Sequence, residues 1–394
     1  MKLEKIRFDR MEFAGALGDI GILIPLVVSL VAINGLNPTM ILSLVGIFYI
    51  ICGLYYRVPM SVQPLKAVAA IAIASGLGAS VISAAGILMG IFLLFISVTG
   101  LAELLNRIFA RPIIRGIQLG VGLMLIRTSL LLIARPINGA GSILLTNNMA
   151  IPFSWLVVAA GIIIMLIPLW DRQFPASIVI LGLGLAASMF SGQLNGLNLS
   201  FFKLHKIIVT VPAKDDFIKA LVLLVIPQIP LTLGNAVVAT EDVAKRYFGE
   251  GAERVKARPL AFGMGIINII AGFTGGMPVC HGSGGLTAHY SFGARTGGAS
   301  VIIGSICLLL ALMFGNGIGE IFKIIPHAIL GIMLFYVGLK HALLITDLEK
   351  KEELFLALGI GVTAILTGNL AIAYGAGMSL WYFARFVRKS FCEA

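Results

Sequence analysis

Charge is scarce in this 394-residue sequence: only 12% of its residues are Asp, Glu, Lys or Arg, against about a quarter in soluble domains. Residues 259–294 contain none of the four. The chain is 59% hydrophobic, and one membrane span needs about 20 apolar residues. This shortage argues against a large soluble domain, whose helices would need polar faces.

Cysteine and histidine are also few, with four and five residues respectively. Cys52, Cys280, Cys307 and Cys392 show no CxxC spacing, so the sequence predicts neither a disulfide framework, nor a metal site, nor a cofactor. The formal charge of +11 is spread over separate segments, which does not indicate a nucleic-acid partner.

About 14 hydrophobic segments remain, which predicts an all-α, polytopic membrane protein formed by a single domain over residues 1–394. Three segments are short, the third (62–78), the ninth (258–274) and the tenth (280–293). A helix rises 1.5 Å per residue, so about 14 residues reach only about 21 Å of a core that is about 30 Å thick. Such helices are expected to be broken within the membrane.

The basic residues predict the orientation. Of the 29 Lys and Arg residues, 21 fall on the side that carries both termini and six on the other, while Lys66 and Arg127 fall within or near spans. Both termini of this multi-pass chain are therefore expected on the cytoplasmic side of the plasma, or inner, membrane. Contact of the basic loops with anionic lipid is a further, unspecific expectation.

In three pairs of segments, the two members resemble each other and are separated by the same number of segments. Each pair mixes proline, glycine and polar residues within an apolar stretch, and its members lie seven segments apart. Because seven is odd, the two halves insert with opposite orientation, which is the inverted repeat of many secondary transporters. The pairs are 15–27 with 226–238, 59–70 with 276–290, and 111–123 with 325–339.

In a 7+7 inverted repeat, broken segments 3 and 10 enter from opposite sides and their helix N-termini face each other. Each N-terminus offers free backbone N–H groups and about half a positive charge, so that together they form an anion site. Pro64 suits the start of such a helix. Gly282, Gly284 and Gly285 let an anion approach the backbone, and Ser283 adds a hydroxyl donor.

Four stretches carry a family resemblance: "SVQPLKAVAA", "MPVCHGSGGLTAHYSFGARTGG", "GALGDIGILIPL" and "PQIPLTLGNAVVAT". They resemble the molybdate transporter family, which is related to the sulfate permeases and more distantly to the uracil permeases, and the resemblance covers essentially the whole chain. It implies a core subdomain (11–105 and 217–315) that holds the substrate and a gate subdomain (112–192 and 323–388). The end of the sequence soon after the last span implies that the C-terminal regulatory domain of sulfate permeases is absent.

Individual polar residues have competing interpretations. Gln63 is expected to contact the oxyanion, or else to satisfy the backbone of the broken helix. Lys66 is expected to attract the dianion, to pair with Asp19, or to reach the membrane edge. Asp19 is a candidate proton site, or a cap or partner for Lys66.

Further residues are expected in the same cavity. Gln228 is a candidate donor to the substrate, while Thr232 and Asn235 either line the cavity or form interhelical hydrogen bonds. His281 is a candidate donor that couples proton to anion by titrating, with a structural histidine as the alternative.

The resemblance implies import of molybdate by alternating access, with sulfate or tungstate as alternative substrates of the same fold. Proton symport is expected because a dianion entering the cell moves against the membrane potential. An oxyanion channel is the alternative from another class. An enzyme is not expected, because no acidic residue lies near His281 and Ser283 to orient the histidine. Relatives of this fold often dimerise, which makes a homodimer an expected arrangement. The sequence itself shows no dimerisation motif.

Overall fold

A computed structural model describes residues 5–101, 110–134, 142–146, 149–167, 176–191, 209, 211–315 and 317–392. These ranges are almost wholly helical. The helices are α1 Arg10–Ala16, α2 Ile20–Asn34, α3 Pro38–Tyr56, α4 Lys66–Ser75, α5 Ala79–Thr99, α6 Arg111–Ile133, α7 Phe153–Leu166, α8 Ala176–Phe190, α9 Lys214–Ala252, α10 Ala257–Thr274, α11 Ser283–Ser291, α12 Gly298–Phe314, α13 Gly317–Lys323, α14 His327–Ala342, α15 Lys351–Thr367 and α16 Leu370–Cys392. The strands are β1 Gln63–Pro64, β2 Ser142–Thr146, β3 Met149–Pro152 and β4 Val279–Cys280.

The prediction of a helical, multi-pass membrane protein is confirmed as a fold class. Within the described ranges, six helices are long and apolar enough to cross a membrane, or seven if α1 and α2, bent by 46°, form one span. Helix α10 is one of the six, so the expectation that the ninth segment is too short to span is wrong. Further apolar helices of 10–17 residues, such as α4 and α12, fall below the length of a full span. The count of about 14 spans in two repeats of seven therefore stays a prediction.

Helix ends follow from local sequence. Asn37 accepts a hydrogen bond from the Met40 N–H at 3.1 Å and so caps the start of α3, where Pro38 occupies the first turn. Gly35 ends α2 with a φ of 72°, which glycine adopts without strain. In α9, two stretches of π-helix, Leu221–Val225 and Thr232–Val238, flank the segment that contains Pro227 and Pro230. Proline supplies no N–H and crowds the preceding turn, so the helix widens there.

Small residues let pairs of helices approach closely. Helix α3 packs on α12, α5 packs on α10, and α6 packs on both α14 and α15. A Cβ atom added to Gly46 would lie 2.7 Å from the carbonyl oxygen of Gly304, so that α3 and α12 touch backbone to backbone. A Cβ on Gly90 would lie 2.7 Å from the carbonyl oxygen of Gly265, between α5 and α10. Close approach of this kind is the usual basis of helix association in membranes.

Two extended dipeptides pair with each other in the interior of the protein. Strands β1 and β4 pair antiparallel, with Gln63 opposite Cys280 and Pro64 opposite Val279. The pair is secured by Asn268 of α10, whose Nδ2 donates to the Val279 oxygen at 2.9 Å and whose Oδ1 accepts from the Val279 N–H at 2.6 Å. Non-helical backbone at membrane depth needs such partners. Helices α4 and α11 begin just after these strands, which brings their N-terminal ends together.

Candidate functional site

Ser61 fixes the start of α11 against the segment that leads into α4. Its hydroxyl donates to the carbonyl oxygen of Gly282 at 2.9 Å and accepts from the Gly282 N–H at 3.0 Å. Ser61 is fully buried, so both hydrogen bonds are made without competing water. The sequence analysis missed this residue, although its position two residues before Gln63 in a span was a usable signal.

The N-terminal end of α11 has no cap. Gly282 occupies the cap position and has no side chain to offer. The N–H groups of Ser283, Gly284 and Gly285 make no hydrogen bond to any part of the chain that the structure describes, because the first helical bond runs from Leu286 to the Gly282 oxygen at 3.0 Å. Gly284 is exposed and has open space around it. Three donors are thus available to an acceptor from outside.

The N-terminal end of α4 differs because a side chain already occupies it. The Oε1 atom of Gln228 accepts from the N–H groups of Ala67 at 2.8 Å and Val68 at 3.3 Å. The Nε2 atom of Gln228 donates to the Thr232 hydroxyl at 2.9 Å. Gln228 and Thr232 therefore lie at the start of α4, where the amide of Gln228 caps a helix and is not a free donor.

Lys66 is the first residue of α4 and brings a cation to the open end of α11. A Cβ atom built on Gly282 would lie 3.5 Å from the Lys66 Nζ atom. Lys66 is partly buried, and within the described ranges its ammonium forms neither a hydrogen bond nor an ion pair with a side chain. The alternative in which Lys66 pairs with Asp19 is not what the structure has.

Asp19 is instead held by neutral partners. Its Oδ1 accepts from Nε2 of Gln63, and its Oδ2 accepts from the Tyr49 hydroxyl at 2.8 Å. His289 stands behind it, with Nε2 4.0 Å from Oδ2 of Asp19 and Nδ1 2.7 Å from the Gly15 oxygen. Asp19, Gln63, Tyr49 and His289 are all fully buried. Tyr49 was not anticipated from the sequence, since a tyrosine in an apolar helix has no distinguishing spacing.

Gln63 is not free to donate to an anion in this structure. Its amide N–H faces Asp19, and its Oε1 has no hydrogen-bond partner among the described residues. A Cβ on Gly282 would lie 2.9 Å from that Oε1, so the acceptor end of the amide faces the start of α11. Pro64 follows in β1 and its carbonyl oxygen lies 3.6 Å from Cys280 Sγ.

His281 points away from the open helix end, which removes it as a direct donor in this state. Its ring is fully buried and stacks on Phe48 with centroids 5.2 Å apart, while Tyr56 meets it edge-on at 5.9 Å. Nδ1 lies 2.8 Å from the Ser61 oxygen, so this nitrogen carries the proton and donates. His281 is a structural histidine here, because strand β4 turns its side chain toward α3.

Ser283 and Asn235 connect α11 to α9. The Ser283 hydroxyl donates to Asn235 Oδ1 at 2.7 Å. Both residues are partly exposed, in contrast to the buried Gln228 and Thr232 one turn earlier in α9. The bond joins two helices, which is the interhelical role given above as the alternative for Asn235, and a cavity-lining role for Asn235 stays a prediction.

Comparison with known proteins finds one family and one fold. The sequence model described as "Molybdate transporter of MFS superfamily" matches residues 11–125 and 220–340. "Molybdate transporter 2" of Arabidopsis thaliana is 29% identical over 410 residues, covering 94% of this chain and 86% of that protein. "Molybdate transporter 1" of Chlamydomonas reinhardtii is 26% identical, covering 93% of this chain and 90% of that protein.

Two solved structures share the fold. The transmembrane domain of the cyanobacterial bicarbonate transporter BicA aligns with a TM-score of 0.63 at 18% identity, over 94% of this chain and 98% of that one. Murine Slc26a9, an anion transporter in the inward-facing state, aligns with a TM-score of 0.67 at 13% identity, over 98% of this chain and 69% of that one.

Proposed function

Because the chain belongs to the molybdate transporter family, we propose that it imports molybdate, a tetrahedral dianion, across a membrane. It is a multi-pass membrane transport protein and not an enzyme. The observation that carries the proposal is the uncapped start of α11, where the Lys66 Nζ atom lies 3.5 Å from the position that a Cβ on Gly282 would take. Backbone donors, a helix dipole and one cation attract an oxyanion together.

The anion binds at this end of α11 and draws on the neighbouring side chains. Backbone N–H groups of Ser283, Gly284 and Gly285 donate to its oxygens, and the absence of a side chain at the exposed Gly284 permits close approach. The Ser283 hydroxyl leaves Asn235 to donate to the anion. Lys66 supplies a positive charge in a region of low dielectric, where it is effective.

Transport proceeds by alternating access, with the core subdomain (11–105 and 217–315) moving against the gate subdomain (112–192 and 323–388). A 7+7 inverted repeat is supported by the helix packing, because an offset of seven segments converts the α3–α12 pair into the α10–α5 pair. The same offset maps the β1–β4 pair onto itself, which supports an anion site close to the pseudo-two-fold axis of the proposed repeat.

The proposed orientation rests on charge. With 21 of the 29 basic residues on one side of the predicted spans, both termini lie in the cytoplasm. We place the chain in the plasma, or inner, membrane, through which import into the cell takes place. A dianion that enters against the membrane potential costs about 2.3 kcal/mol per charge for each 100 mV. We therefore include proton symport in the proposal, with Asp19 as the group that takes the proton.

Uptake into proteoliposomes tests the function. Purified protein should accumulate molybdate at a saturable rate, tungstate should compete, and an imposed inward proton gradient should raise the rate. Sulfate is the second candidate substrate, and competition by equal concentrations of sulfate decides between the two. A rate that rises linearly with the anion gradient and does not saturate would instead indicate a channel.

A further inference from the structure

Gln63 holds an unusual position for a residue that borders an anion site. Its side chain is fully buried, its Nε2 donates to Asp19 Oδ1, and its Oε1 has no hydrogen-bond partner among the described residues. That lone oxygen faces the start of α11, 2.9 Å from where a Cβ of Gly282 would lie. A buried acceptor without a donor is costly, and an acceptor that faces an incoming anion repels it.

The chemistry of Asp19 explains why the amide faces this way. An ionised carboxylate only accepts hydrogen bonds, so it fixes the NH2 group of Gln63 toward itself. The Tyr49 hydroxyl already donates to Oδ2 at 2.8 Å, which leaves Oδ1 for Gln63. A proton on Oδ1 turns that oxygen into a donor, and its best partner is then the carbonyl end of the same amide.

We propose that the Gln63 amide couples the uptake of one proton to the binding of the anion. When Asp19 takes up the proton, the amide rotates by half a turn about its terminal torsion. With Asp19 protonated, Oε1 of Gln63 accepts from the carboxylic O–H, and the NH2 group faces Gly282 and Lys66. The proton comes from the same aqueous side as the anion and leaves with it, and no covalent bond other than the O–H bond is made or broken. This inference rests on the proposed anion site.

The surroundings allow this rotation. Turning the amide is a rotation about its terminal sp³–sp² torsion, which is broad and roughly two-fold, and O and NH2 occupy similar space. Gly285 leaves room for the amide, because a Cβ there would lie 2.6 Å from Nε2 of Gln63 and 2.5 Å from Cβ of Ser61. The rotation therefore exchanges acceptor for donor at the site without moving a helix.

Several titratable or charged groups surround Asp19. From α11, His289 presents Nε2 4.0 Å away, and this atom bears a lone pair because Nδ1 donates to the Gly15 oxygen. From α3 comes Tyr49, and Cys280 and Lys66 lie toward the anion site. Glu12 of α1 is buried but is turned to the N–H groups at 295, 296 and 299. His289 is thus the one rival for the proton among these groups.

The test measures molybdate binding by the purified full chain at about pH 6 and about pH 8, with proton uptake followed by an indicator dye in weak buffer. In the wild type, affinity should be higher at pH 6 than at pH 8, because binding that takes up a proton weakens as protons become scarce, and up to one proton should be taken up per anion. In Asp19→Asn, the new amide donates to Gln63 at every pH, so affinity should be independent of pH and no proton should be taken up.

His289→Asn is the matched control, since its amide N–H can still donate to the Gly15 oxygen. It should keep the pH dependence of the wild type. Loss of pH dependence in His289→Asn with retention in Asp19→Asn would overturn the proposal, as would wild-type binding of equal affinity at both pH values without proton uptake. If Asp19→Asn does not fold, His289→Asn decides, because proton uptake that persists in this variant supports Asp19 and proton uptake that is lost in it overturns the proposal. Absence of any molybdate binding by the wild type would instead refute the proposed function itself.

Discussion

The side-chain oxygen of Gln228 lies 2.8 Å from the backbone nitrogen of Ala67, so a residue of α9 caps the start of α4. The matching end of α11 has only Gly282 at its cap position. Of two helix ends that face one site, one is occupied by the protein itself and the other is open. The open end is where we place the anion.

Two substitutions at Gln228 should separate capping from anion binding. Gln228→Leu removes the acceptor from two N–H groups, so the unfolding free energy should fall by about 1–3 kcal/mol, read as a lower melting temperature in detergent. Gln228→Glu keeps an acceptor there but adds a negative charge beside the anion. It should melt near the wild-type temperature and bind molybdate at least about tenfold more weakly. Equal affinity of Gln228→Glu and wild type would contradict this arrangement.

Removal of the Lys66 charge should weaken the binding of the anion. Lys66→Gln retains a polar side chain but loses the cation near Gly282, and we expect molybdate affinity to fall at least about tenfold, with a weaker dependence on salt. The comparison variant is Lys340→Gln in α14, where an exposed lysine lies 5.4 Å from the Tyr336 ring centroid. A similar loss of affinity in both variants would mean that general surface charge, and not Lys66, attracts the anion.

Gly285 should tolerate no side chain. In Gly285→Ala the new methyl group would meet Ser61 Cβ at 2.5 Å and Gln63 Nε2 at 2.6 Å, so α11 must shift away from β1. We expect a large loss of molybdate uptake in proteoliposomes. Gly359→Ala in α15, where a Cβ meets nothing within 4 Å, should transport like the wild type. Normal uptake by Gly285→Ala would show that the close contact of α11 with β1 is not needed.

Substitution of His281 should affect the fold more than the site. His281→Ala leaves a cavity between Phe48 and Tyr56 and frees the Ser61 oxygen, so we expect a destabilisation of about 2–4 kcal/mol. The folded fraction should bind molybdate within about twofold of wild type, because the ring does not face the open end of α11. A tenfold weaker Kd with an unchanged melting temperature would restore the sequence-based role of His281 as a substrate donor.

The membrane class and the positions of the helix breaks could be predicted from the sequence, because both depend on amino-acid composition. The membrane class follows from the shortage of charge, and the breaks before Lys66 and before Ser283 follow from proline and glycine in short apolar segments. Proline and glycine also mark where polar side chains gather: Gln63 lies in β1, Asp19 accepts from Gln63, and Gln228 caps the helix that follows β1.

The partner of each polar group could not be predicted in the same way. Whether an amide donates to a substrate or caps a helix depends on which helix faces it, and residues 228 and 67 are 161 positions apart. His281 illustrates the same limit, because the direction of its ring depends on the extended conformation of β4. Ser61 and Tyr49 escaped notice since a serine or tyrosine within a span is usually an interhelical contact.

The position of the bound anion is the most direct test of the proposed site. Tungstate is the heavier tetrahedral analogue of molybdate, and crystals of the protein grown with it can be examined at the tungsten absorption edge. We expect one strong anomalous peak within hydrogen-bonding reach of the N–H groups of Ser283 and Gly284 and close to Lys66 Nζ. A peak away from the start of α11, with that helix end empty, would contradict it.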